Sequence, residues 1–247
     1  MTTAATRAAT RAARIATFVG LAASAMPAVA DTGSGGVTWS RELAGPARAD
    51  LEHALDLPFE DIWDMHLPRT EERRRVTSCR EALALPRGFT PDDQSDMEWY
   101  AFVTMRVRCR VVEQLAKATP ARTDHLGKFT LDNARLGELP AILHPLAGPR
   151  DVVARLQKAS DDGVSWKKWD SSVRVVPGHG ERVGVVGKNV DCFLQVLGRG
   201  DLDGDGIEDL VLLRSGGGRR GSWRSISAFV VTRRGPGQRV EVLRELN

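Results

Sequence analysis

The rhythm of apolar and polar positions changes near Ser160. Residues 39–159 mostly repeat apolar side chains at helical spacing and use little Gly. From residue 161 onward, Val-rich runs alternate with polar positions and Gly-bearing turns, which predicts strands. Helices are expected at residues 48–57, 78–85, 95–118, 136–143 and 151–159. Ser95-Asp-Met-Glu98 reads as a capping box, in which hydroxyl and carboxylate serve the free amides of a helix start. The stretch that follows has no Gly or Pro, and Glu113 precedes Lys117 by one turn. Its Val103, Met105, Val107, Cys109 and Val111 also alternate with polar residues in a strand-like way; length and the capping box favour helix. Strands are expected at 172–176, 182–186, 192–197, 209–214, 225–233 and 239–243. Short links between consecutive strands favour antiparallel pairing. The expected class is therefore α+β: a mostly helical region over 31–160 packed beside a C-terminal antiparallel β meander over 161–247.

The first thirty residues change the charge argument. Arg7, Arg11 and Arg14 precede a short apolar run at 15–26, and Ala28-Val29-Ala30 is a small-residue cleavage site, which predicts a secretory signal peptide over 1–30. The apolar run is shorter than the roughly 20 residues a spanning helix needs. The expectation is a periplasmic or secreted protein with no membrane span after cleavage. The whole chain carries a formal +3, but these three Arg leave without any acidic residue, so the remainder is neutral. Nothing here asks for a nucleic-acid partner, which needs a basic face. Arg outnumbers Lys 29 to 6, read as GC-rich coding rather than a binding surface. Of the three cysteines, Cys79 and Cys109 are expected to pair, with Cys192 free and buried in a strand; three reduced, buried thiols are the alternative.

Between two expected strands lies Asp201-Leu-Asp203-Gly-Asp205-Gly-Ile-Glu208-Asp209-Leu210. So many carboxylates within nine residues repel one another, and a hard divalent cation removes that cost. Calcium takes six to eight oxygens at flexible geometry. Alternating Asp201, Asp203 and Asp205 reach one ion as the backbone curls, and Gly206 permits the turn. An EF-hand would need Glu at the twelfth position, which is Leu212, and helices on both flanks. With the apolar run 193–197 before it and 210–213 after it, the segment 192–213 instead resembles the strand–loop–strand calcium site of the FG-GAP/VCBS family. That resemblance implies ligation by Asp201, Asp203, Asp205, the Ile207 carbonyl and Asp209. The motif occurs once, so it implies a lone calcium loop closing a β-hairpin rather than a propeller, whose blades cannot bury their faces singly.

Other motifs carry less. Arg199-Gly200-Asp201 spells a receptor-binding tripeptide, but an Asp201 that ligates an ion is not free to present itself. Pro177-Gly-His179-Gly-Glu181 holds a histidine and a glutamate in a Gly-flanked turn. Trp166-Lys-Lys-Trp169 fits either a glycan-stacking edge or core packing. No P-loop, G-x-S-x-G elbow or H-E-x-x-H spacing is present. The reading is a non-enzymatic exported protein with structural calcium, serving a protein or glycan partner at the envelope. The alternative is a secreted hydrolase of cell-wall or polysaccharide material that uses His179 and Glu181.

Overall fold

Thr38–Trp39 form the first short strand, β1, of the computed structural model, which describes residues 36–40, 43, 51–92, 95–145, 150–178, 182–219 and 224–247. The predicted signal segment lies outside these residues. After the one-turn helix α1 (Leu51–Ala54), β2 (Pro58–Leu67) and β3 (Glu72–Ser78) form an antiparallel hairpin, and β4 (Thr90–Pro91) joins the free side of β2. This small sheet lies in the region read as mostly helical. Its signal is short: Trp63, Met65 and Leu67 alternate toward one cluster, while the Arg-rich β3 is largely exposed.

Helix α2 (Cys79–Ala84) starts at Ser78, whose Oγ accepts from the Glu81 amide. Helix α3 (Asp96–Ala116) starts at Ser95, whose Oγ accepts from the Glu98 amide at 3.2 Å, as the capping box predicts. The strand-like alternation inside α3 has a physical cause, because this helix is buried on two sides. Phe102 and Met105 pack with Met65 and Val76 of the small sheet, whereas Val107, Val111 and Leu115 pack with Val211 and Val230 of the large one. A disulfide joins Cys79 to Cys109, and Cys192 is free and buried, its thiol pushed up to about 12 by that burial.

The chain then runs through α4 (Asn133–Leu136), a 3₁₀ turn at Ala141–Leu143, α5 (Arg150–Asp161) and α6 (Trp166–Trp169). The meander follows: β5 (Arg174–Val176), β6 (Arg182–Val186), β7 (Val190–Gly200), β8 (Asp209–Gly218), β9 (Arg224–Thr232) and β10 (Glu241–Leu246). Each strand pairs antiparallel with the next, and β1 pairs with Gly198 and Arg199 of β7, on from the point where β6 pairs with Gln195. Both faces of the sheet are covered, so β8 is buried continuously from Asp209 to Arg214. Leu210 and Leu212 join Trp166, Leu139 and Phe229 on one face; Val211 and Leu213 join α3 on the other. The class is α+β. Where α3 crosses β7 the approach is close: a Cβ at Gly198 would lie 2.6 Å from the Leu115 methyls.

Candidate metal centre in the β7–β8 loop

The acidic stretch connects the paired ends Gly200 and Asp209 of β7 and β8, so strands flank it on both sides. Gly204 and Gly206 take positive φ angles of 87° and 83°, which lets the backbone curl inward at both points. That curl is held by the carboxylates themselves. Asp201 accepts from the amides of Gly204 at 2.7 Å and Gly206 at 2.9 Å, Asp203 from Asp205, Asp205 from Ile207, and Asp209 from Leu202 at 2.9 Å.

Asp201, Asp203 and Asp209 come together: one carboxylate oxygen from each lies within 4.8 Å of the others. Asp203 is exposed, but Asp201 is only 6% exposed and Asp209 is fully buried at 0%. Asp209 Oδ2 accepts from the Leu202 amide, while its buried Oδ1 makes no hydrogen bond of good geometry, with the buried Thr232 hydroxyl as the neighbouring donor. Burial, reinforced by the charges of Asp203 and Asp205, pushes the Asp209 carboxyl up to about 6. The buried Thr232 hydroxyl pulls the other way, but a fully buried acid grouped with two more carboxylates is still a demand for positive charge. Asp205, the fourth expected ligand, is not among the three; its Oδ2 sits 2.9 Å from Arg234 Nη1. Ile207 donates its amide to Asp205 and bridges to Thr123, two residues before β8 begins.

The segment after α3 clasps this loop. Thr119 and Asp201 exchange backbone hydrogen bonds at 3.0 and 2.8 Å, and the amides of Arg122 and Thr123 both donate to the Gly206 carbonyl. The Thr119 hydroxyl also reaches Asp201 Oδ2 at 3.3 Å. Arg244 of β10 bridges the Leu202 carbonyl and Gln114 of α3. Glu208 turns away from the cluster to Arg199 at 3.0 Å, its pKa raised by burial and by Asp124. Thr119, Arg234 and Arg244 have no local sequence signal. They reach the loop across 82, 29 and 42 residues respectively.

The remaining candidates separate. His179 and Glu181 lie outside the described residues. Asp201 is buried and engaged, so the Arg199-Gly200-Asp201 tripeptide is not displayed. Trp166 is a core residue at 0% exposure, whereas Trp169 is 36% exposed. Among the described residues, no helix is long and apolar enough to cross a membrane. No protein family, curated protein or solved structure matches this chain.

Proposed function

We propose that the β7–β8 loop is a structural calcium site in an exported protein whose role at the envelope is binding rather than catalysis. The observation that carries this reading is the grouping of the fully buried Asp209 with Asp201 and Asp203, with burial pushing the Asp209 carboxyl up. Asp201, Asp203 and Asp209 would hold the ion, joined by Asp205 and the Ile207 carbonyl in the manner of the FG-GAP/VCBS loop it resembles. All these donors are oxygen, and they come from a curled loop rather than an octahedral cage, which favours calcium over magnesium. Calcium supplies positive charge and no redox chemistry there. The chain's own work is to fix the carboxylates on loop amides and to clasp them with residues 119–123. The Cys79–Cys109 disulfide supports export, because such bonds persist in oxidising compartments.

The test is calorimetric titration of calcium into chelator-treated protein, paired with melting curves. Wild type is expected to bind with Kd on the order of 10⁻⁴–10⁻³ M, as extracellular modules do. A hundredfold excess over Kd adds about 2.7 kcal/mol, which raises Tm by roughly 5–10 °C for a domain of this size. Asp209→Asn, which removes the buried charge, loses both the heat and the shift. Identical melting in saturating calcium and in chelator, with no heat on titration, sinks the reading.

A further inference from the structure

We infer that Arg234 is a built-in counter-cation of the loop and sets how weakly the loop holds calcium; this rests on the calcium reading above. Arg234 follows β9 in the turn toward β10. Its Nη1 lies 2.9 Å from Asp205 Oδ2, its Nη2 3.8 Å from Asp203 Oδ2 and its Nε 3.8 Å from Glu241 Oε2. The guanidinium therefore sits on the outer side of the cluster, on its exposed carboxylates rather than on the buried Asp209.

This division of labour has a consequence. Where Asp205 ligates a cation through Oδ2, that oxygen must leave Arg234, and a second positive charge then remains a few ångströms away. Both the lost ion pair and the repulsion act against binding. The half-exposed setting, with the Arg234 side chain 45% exposed, keeps each effect moderate. Arg234 thus acts as a competitor tethered to the site, and its release frees the turn between β9 and β10 from the loop.

Calcium titrations of wild type, Arg234→Gln and Arg239→Gln test this. Arg239 pairs with the same Glu241 at 3.5 Å without contacting Asp205, so it controls for the loss of one charge. Arg234→Gln is expected to bind calcium about five- to tenfold more tightly than wild type, and Arg239→Gln within about twofold of it. Equal affinities in all three proteins, weaker binding by Arg234→Gln, or equal tightening by both variants overturns the role of Arg234 and leaves the calcium site standing. Absence of binding by every protein removes the calcium reading together with this one.

Discussion

His144 shows how much one buried side chain governs the response to acid. It is 6% exposed, edge-on to Trp166, with Nε2 3.3 Å from Asp170 Oδ2, and its backbone carbonyl accepts from the buried Arg214. Burial holds the imidazole below its usual 6.5 in spite of the pull of Asp170. The unfolded chain takes up this proton at a higher pH than the folded one. Stability is therefore complete above the unfolded pKa and falls as pH drops below it. Between about pH 7 and pH 5.5 this imidazole lowers Tm against the gain from protonating the raised Asp209 carboxyl, so His144→Asn should lose less Tm on acidification than wild type. An unchanged slope in the variant would assign the acid sensitivity elsewhere. Residue by residue, the acidic loop was legible because its carboxylates recur at a fixed local spacing. Its surroundings were not, since Thr119, Arg234 and Arg244 meet it only after the chain has folded back.

At the scale of elements, legibility followed burial on one side or two. The capped start of α3 and the strands β6 to β9 stood out, because local amide capping and apolar runs bounded by turns are short-range signals. The hairpin β2–β3 did not, since only one face of a small sheet is apolar and β3 opens with Glu72-Arg-Arg-Arg75. The helix expected over 136–143 does not form: α4 ends there at Leu136, capped by Gly137, and after Pro140 only the 3₁₀ turn Ala141–Leu143 follows. The disulfide ties these layers together by linking the start of α2 to the middle of α3. It closes a 30-residue separation, so replacing both cysteines with serine should cost about 3–4 kcal/mol. A denaturant midpoint that does not fall in Cys79→Ser/Cys109→Ser would show that the link adds nothing.

Taken as a whole, the molecule is layered: small sheet, α3, large sheet, and the irregular segment that carries Trp166. The acidic loop stands at the seam where α3 ends and the large sheet turns, touched by residues from α3, the 119–123 segment and β10. That position suits a brace better than a reaction centre. The two-residue strand β1 completes the same corner, with Thr38 and Trp39 opposite Arg199 and Gly198, and the Ser40 amide on the Leu197 carbonyl. It is a cover strip over main-chain groups that β6 is too short to reach. A chain trimmed to begin at residue 51 would lose the Val37, Trp39 and Leu43 contacts at the core's margin and present an open strand edge, the usual template for copies to stick edge to edge. Light scattering should then report concentration-dependent association by the trimmed protein and none by the full chain. In this sense a two-residue strand at the margin of the core guards solubility as well as stability.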